Sequence, residues 1–392
     1  MFIEEIQKKL REFGLDGWLF YDFHCRDPIA YRVLKLDIKK LSTRRWYYLI
    51  PSEGEPKKLV HNIEKERLDS LPGEKFIYLK WQERIELLKK ILKGIKKVAM
   101  QYSPMNSIPY ISTVDAGTVE LVRSFGIEVV SSADLIQIFE AVLTDEDFES
   151  HKRAGEKIHK IMDASFKEIG ERLRRNENFT EFDIQQYILG LFEKEGITSD
   201  GMNPIVAVNA NAGNPHYEPT KELSANIKKG DLVLLDIWGR ENRENSIYFD
   251  ITWMGYAGAE VPEKYIKIFD IVKNARNKAV EFIRKRFSEG KEVFGWEVDD
   301  VARGYIKEMG YEKYFIHRTG HSIGREVHGN GVNMDNLETK DERRLLPGIL
   351  FSVEPGIYFE DFGIRSEINV FITKSKEVMV TGPMQEEIVK IV

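Results

Sequence analysis

The stretch DLVLLDIWGRENRENSIYFDITWMGY, residues 231–256, carries two acids where apolar strands should have none. Asp236 follows four apolar residues and precedes two more, and Asp250 is embedded in YFDITW. Taking an isolated carboxylate out of water costs several kcal/mol unless it is paired or neutralised. Two such strands joined by the polar GRENRENS predict a hairpin that presents both acids to one point. The oddity returns near the C-terminus, where FSVEPGIY sets Glu354 at the end of an apolar run and IRSEINVFI sets Glu367 inside another. Strand alternation puts Arg365, Glu367 and Asn369 on one face, and Leu350, Ser352 and Glu354 on another shared face. Four acids in strand interiors, without four buried bases at matching places, imply divalent cations, because several carboxylates can share two metals.

Of eight histidines, four fall between residues 216 and 328: His216, His317, His321 and His328. His321 and His328 lie in the glycine-rich RTGHSIGREVHGNG, where backbone can approach a site closely. One imidazole, His321, with four carboxylates suits Mn, Co, Fe or Zn better than Mg or Ca, which prefer oxygen alone.

Working outward, the chain alternates short apolar runs with amphipathic stretches as far as about residue 140. The runs GWLFYDF (17–23), WYYLIP (46–51), KVAMQY (97–102) and IEVVSS (127–132) read as strands, with helices between several of them. This describes a compact α/β domain, placed at residues 1–143. A long charged helical region opens at DEDFESHKRAGEK, where Asp145 and Glu146 cap or begin a helix. His151 and His159 in it read as solvent-side or packing residues. After Gly196 strands return with two more amphipathic helices, an α+β arrangement within a domain placed at 144–392. Cys25, beside His24 in FHCRDP, is the single cysteine and reads as structural, because one thiol makes neither a disulfide nor a thiolate zinc cage.

Composition excludes several classes. A formal net charge of −6 argues against a dedicated nucleic-acid binder. No apolar run approaches the ~18–20 residues that span a bilayer. The start MFIEEIQKKLREFG is acidic and amphipathic, unlike a secretory signal. The expectation is a cytoplasmic protein.

Asp236, Asp250, His321, Glu354 and Glu367, in that order and within GDLVLLDI, DITW, TGHSIGREVH, VEPGIY and GIRSEI, resemble the ligand set of the pita-bread dinuclear metallopeptidases. The resemblance covers roughly residues 145–392. With an α/β domain before it, the chain is similar to the Xaa-Pro group of prolidase, aminopeptidase P and creatinase relatives. The fold so implied is an α/β N-terminal domain followed by an α+β pita-bread catalytic domain. The function implied is hydrolysis of the peptide bond preceding proline by hydroxide held between two divalent metals. Asp250 and Glu367 would bridge the metals, Asp236 would complete one site, and His321 with Glu354 the other. Glu354 is also the implied proton shuttle. His216 and His328 match the family's two non-ligand histidines, implied to contact substrate and stabilise the tetrahedral intermediate.

Arg365 shares a strand face with Glu367 and either pairs with the metal carboxylates or binds a substrate carboxylate. His317 reads as structural. Prolidases tend to hold a dipeptide carboxylate with an arginine upstream of VEPG, and here that spacing lands near Lys340, Arg343 and Arg344. The two aspartates stand fourteen residues apart, further than is usual in the family, which lengthens the loop at 239–248. Trp253 follows DIT where many relatives carry arginine. The expected substrate is a dipeptide or longer peptide with proline second, and the expected assembly is a homodimer. A creatinase-like C–N hydrolase and a non-catalytic peptide-binding homologue are the alternatives.

Overall fold

Strands buried on both faces must be covered on both faces, and GWLFYD is buried at all six positions. A computed structural model describes residues 2–392; Met1, which opens the expected first domain, lies outside the described residues. The chain forms two compact units, one ending at Glu140 and the other running from Ala141 to Val392.

The first unit contains α1 (Phe2–Glu12), β1 (Gly17–Asp22), α2 (Pro28–Val33), β2 (Trp46–Pro51), β3 (Lys57–His61), β4 (Glu74–Tyr78), α3 (Trp81–Ile91), β5 (Lys97–Met100), α4 (Ala116–Arg123), β6 (Glu128–Ser131) and α5 (Ala133–Ile136). The strands form one mixed sheet in the order β4-β3-β2-β1-β5-β6. Alternation along β1 and β2 sends Trp18, Phe20, Tyr48 and Ile50 to one core, shared with Ile6 and Leu10 of α1. Leu19, Tyr21, Tyr47 and Leu49 go to the other, shared with Leu88 of α3 and Val119 of α4. Cys25 belongs to the turn after β1. There Asp22 accepts hydrogen bonds from the amides of Cys25, Arg26 and Asp27 and from the Tyr31 hydroxyl.

The second unit contains α6 (Asp145–Arg174), α7 (Glu181–Glu195), β7 (Ile197–Thr198), β8 (Ile205–Val208), β9 (Leu232–Glu241), β10 (Phe249–Tyr256), α8 (Glu263–Ser288), α9 (Gly295–Glu308), β11 (Ser322–Ile323), β12 (Leu350–Val353), β13 (Gly356–Tyr358), β14 (Gly363–Arg365), β15 (Ile368–Ile372), β16 (Val378–Val380) and β17 (Val389–Lys390). Thr144 caps α6 and Thr180 caps α7, each in a reciprocal capping box, with Asp147 and Asp183 respectively. Strands β9 and β10 form the expected antiparallel hairpin, in which Asp236 lies opposite Thr252 and Asp250 opposite Trp238. One side of this sheet packs on α6 and α7 through Ile158, Ile188, Leu235 and Ile251. Its other side shares a core with α8 and α9 through Leu234, Met254, Val272 and Val298.

The run 364–372 differs from its reading as one strand. It breaks at Ser366–Glu367: β14 pairs with β13, whereas β15 pairs with β12 and β16. The break is held by Ser366 N–H donating to Pro355 O (3.3 Å) and Glu367 N–H donating to Thr252 O (3.2 Å). The fully buried Arg276 of α8 donates to Ser366 Oγ at 2.8 Å. Among the described residues no helix is long and apolar enough to cross a membrane.

His151 is a packing residue, wholly buried against Phe249. Its Nδ1 donates to Tyr248 O (2.6 Å), which leaves Nε2 to accept from Thr381 Oγ1 (2.7 Å). Burial lowers its pKa to about 4, against an ordinary value near 6.5. Between those values the unfolded chain takes up a proton that the folded chain refuses, so stability falls as pH drops through the window and levels below it. The contribution is about 3 kcal/mol. We expect His151→Gln to flatten this part of the slope. Urea midpoints at pH 7 and pH 4.5 measure it, and equal slopes for variant and parent would refute the assignment.

Candidate metal centre

Because residues opposite and two apart in an antiparallel pair share a face, the hairpin register puts Asp236, Asp250 and Thr252 on one side of β9 and β10. The second sheet supplies the rest. Glu354 follows the end of β12, Glu367 occupies the break between β14 and β15, and His321 precedes β11. Ligand atoms of Asp250, His321 and Glu367 all lie within 4.8 Å of one another, and all three residues are buried. His321 Nε2 stands 3.5 Å from Asp250 Oδ2 and 3.3 Å from Glu354 Oε1. Its Nδ1 faces the Ser322 carbonyl at 3.2 Å, a bond that requires the proton on Nδ1 and turns Nε2 toward the acids. Gly320 makes this approach possible, since a Cβ there would meet Ser352 O at 2.0 Å. The His321 amide can thus donate to Ser352 Oγ at 2.9 Å.

Hydrogen bonds fix the carboxylates from behind. Thr252 Oγ1 donates to Glu367 Oε2 at 2.8 Å, and Ser352 Oγ donates to Glu354 Oε1 at 3.0 Å. Asn369 bonds both backbone groups of Asp250, accepting from its N–H at 3.1 Å and donating to its carbonyl. Arg365 turns its guanidinium to Asp236 Oδ2, to Thr252 Oγ1 (2.9 Å) and to the Tyr358 hydroxyl (3.1 Å). Each of its nitrogens is therefore engaged inside the protein. Of the two roles open to Arg365, these contacts are those of carboxylate pairing. Lys340, Arg343 and Arg344 are likewise engaged elsewhere, with Glu342, Asp341 and Glu292.

Burial raises Asp236, to about 7, and its acidic neighbours Asp250 and Glu354 add to the rise against the pull of Arg365. Burial also raises Asp250, and it raises Glu367 well above the ordinary range with help from the same neighbouring charges. Glu354 goes the other way: despite burial, His321, His317 and Arg365 hold it below its usual value. His321 is raised despite burial, by Asp250 and Glu354, so the centre attracts positive charge. At this centre, three buried carboxylate oxygens have no hydrogen-bond partner among the described residues: Asp236 Oδ1, Asp250 Oδ1 and Glu367 Oε1. Buried carboxylate oxygens left bare beside an imidazole nitrogen fit divalent cations of the kind that accept mixed N/O ligation.

The remaining histidines arrange around this centre. His328 meets the His321 ring edge-on at 4.4 Å between centroids. The His321 charge, then burial, then Arg318 and His216 lower its pKa to about 3. His216 is exposed, yet near enough for its charge to be felt at His328. His317 donates from Nδ1 to Arg318 O and accepts at Nε2 from Tyr358, both at 2.7 Å. Thr252 and Tyr358 were not anticipated from sequence. A polar residue two places after Asp250 on the same strand face signals Thr252, whereas nothing in the sequence signals Tyr358. The charged groups of the lengthened loop pair with α6, Glu241 with Arg153 and Lys157, and Arg243 with Glu146. Trp253 packs on the opposite face of β10, beside His159.

The sequence profile of metallopeptidase family M24 matches residues 149–374, and the chain belongs to that family. It is 30% identical over 254 residues to an Xaa-Pro dipeptidase of Pyrococcus furiosus, covering 64% of this chain and 66% of the relative, just under two thirds of its length. It is 28% identical over 331 residues to an Xaa-Pro dipeptidase of Pyrococcus horikoshii, covering 84% and 83%. The solved dipeptidase PepE of Mycobacterium ulcerans superposes with a TM-score of 0.72 at 21% identity, over 100% of this chain and 97% of that one, a likeness of fold. The architecture is an α/β unit followed by the pita-bread fold.

Charge crowding leads to a test. Glu367→Gln removes one carboxylate from the cluster, so the metal-free variant should melt higher than the parent. Manganese at a hundredfold excess over its Kd should stabilise the parent by about 2.7 kcal/mol and the variant far less. Thermal melts with and without the ion report both, and an identical manganese response in the two proteins would contradict this.

Proposed function

We propose that the protein is a metal-dependent peptidase that hydrolyses the bond preceding proline, acting as an Xaa-Pro dipeptidase. The bare carboxylate oxygens of Asp236, Asp250 and Glu367, the last two residues converging with His321, carry this reading, and membership of family M24 supports it. Two divalent ions, from among Mn, Co, Fe and Zn, would be held by Asp236, Asp250, His321, Glu354 and Glu367. When bound, they supply Lewis acidity that polarises the scissile carbonyl and acidifies water. Residues 1–143 would form the creatinase-like N-terminal domain and 144–392 the catalytic domain. The reading includes a cytoplasmic homodimer.

The chain's own groups divide the rest of the work. Glu354, held ionised by His321, His317 and Arg365, accepts a proton from the attacking water and passes it to the leaving nitrogen, which cannot depart as an anion. His328, held neutral at its lowered pKa, offers a ring N–H to the developing oxyanion. His216 binds the substrate from its own loop. Arg365 holds Asp236 in place and offsets part of the acidic charge.

The bond before proline is a tertiary amide without an N–H, so recognition by strand addition fails and a shaped pocket must replace it. Dialysis against a chelator should abolish turnover of Ala-Pro, and manganese or cobalt should restore it. Asp250→Ala should lose at least about 10³-fold in kcat while staying folded. Turnover of Ala-Pro but not of a tripeptide with proline second marks the dipeptidase. Activity that survives both chelation and Asp250→Ala would overturn the proposal.

A further inference from the structure

A buried carboxylate that is not one of the four clustered acids organises the loop that carries His216. Glu181 is the first residue of α7 and is fully buried. Its Oε1 accepts from Val208 N–H (2.7 Å) and Asn211 Nδ2 (3.0 Å). Its Oε2 accepts from Asn211 Nδ2 (3.0 Å), the Tyr217 hydroxyl (2.6 Å) and Ala225 N–H (2.7 Å). These partners mark the departure of the chain from β8, the first turn beyond it, the residue after His216, and the return. The return is paired to the start of α7, with Glu181 N–H donating to Ala225 O and Ile227 N–H to Phe179 O, each at 3.0 Å. The near side of the loop has no slack either. A Cβ at Gly213 would meet Phe359 O at 2.3 Å, and one at Gly363 would meet Ala212 O at 1.8 Å. Residues 209–213 therefore lie directly against the β13–β14 hairpin that carries Tyr358 and Arg365.

We propose that Glu181 is a positioning residue for His216, setting through Asn211, Tyr217 and Ala225 the place of an exposed imidazole whose ring makes no hydrogen bond among the described residues. This rests on the role given to His216 above. Every group facing the carboxylate is a donor, so charge-assisted bonds form on all sides. An amide in its place must aim its NH₂ at one of those donors, and the loop on that side lets go. Small displacements of a substrate-positioning group cost about 10²-fold in rate.

The test is a double-mutant cycle with the metal-loaded full-length protein on Ala-Pro. Glu181→Gln should lower kcat/KM about 10–100-fold, yet by less than about twofold when His216 is already alanine. Glu181→Asp, which keeps the charge, should recover part of the loss. Equal factors in the two backgrounds, or full activity in folded Glu181→Gln, would overturn the assignment. Amide hydrogen exchange reads the anchoring without turnover. Residues 209–225 should exchange faster in Glu181→Gln while β9 and β10 stay protected, and a uniform increase would overturn it. Should the parent fail on Ala-Pro while this local difference holds, the substrate reading falls and the anchoring stands. If Glu181→Gln does not fold, Tyr217→Phe carries the same cycle with a loss of about 3–10-fold.

Discussion

Mutual repulsion among four carboxylates in a water-poor pocket is the constraint to which the second unit is built. Two like charges 4 Å apart cost about 4 kcal/mol at an effective dielectric of 20. Asp236, Asp250, Glu354 and Glu367 meet with Arg365 as the arginine that reaches them. Nothing in the hydrophobic effect would assemble such a cluster. It persists because each acid is mounted on an element packed for other reasons: the β9–β10 hairpin between two helical layers, and β12 and β15 in a second sheet. Asn369 joins the two mounts by bonding both backbone groups of Asp250.

The four acids are chemically unequal, and the inequality follows from their neighbours. Asp236, Asp250 and Glu367 are pushed toward protonation by burial and by one another. Glu354 sits nearer the imidazoles of His321 and His317 and is held ionised. Residues that give charge to cations can tolerate raised pKa values, since the cation displaces the proton. A residue that shuttles protons must begin as a base. Divergent environments for like groups are the physical basis for giving them different tasks.

Much of this was legible in the sequence because an acid inside an apolar run has few explanations. The hairpin, the faces of Asp236 and Asp250, and the gathering of His321 near them follow from alternation and from electrostatics that demands a partner. The break at Ser366–Glu367 was not legible, because IRSEINVFI has the composition of an unbroken strand. Only tertiary groups reveal the break: Pro355 O, Thr252 O and the buried Arg276 guanidinium. Arg365 was readable as pointing toward the site, but not whether it serves carboxylate or substrate. That choice depends on Tyr358 and Thr252, which reach it from separate strands. The structure also places Lys340, Arg343 and Arg344 in ion pairs of their own, as spacing alone could not.

Strand-borne and loop-borne groups in this centre face different mechanical problems. Asp236 and Asp250 gain precision from the sheet beneath them, whereas His216 stands on a segment with little regular structure. A loop can place a side chain accurately only if its backbone polar groups are satisfied at defined points. Five hydrogen bonds to one buried carboxylate do this with a single side chain. Alternatives would be a longer run of strand pairing or an apolar plug. The first would remove the freedom to reach across the site, and the second would leave the amides of Val208 and Ala225 without acceptors. The same logic recurs at α9, where buried Asp299 accepts from both the amide and the hydroxyl of Thr319. Arg303, paired with Asp299, donates to the carbonyl of His317. The loops bearing His216 and His317 are thus each tethered by an acid on a neighbouring helix, and the polar groups that would weaken an isolated loop become its means of registration.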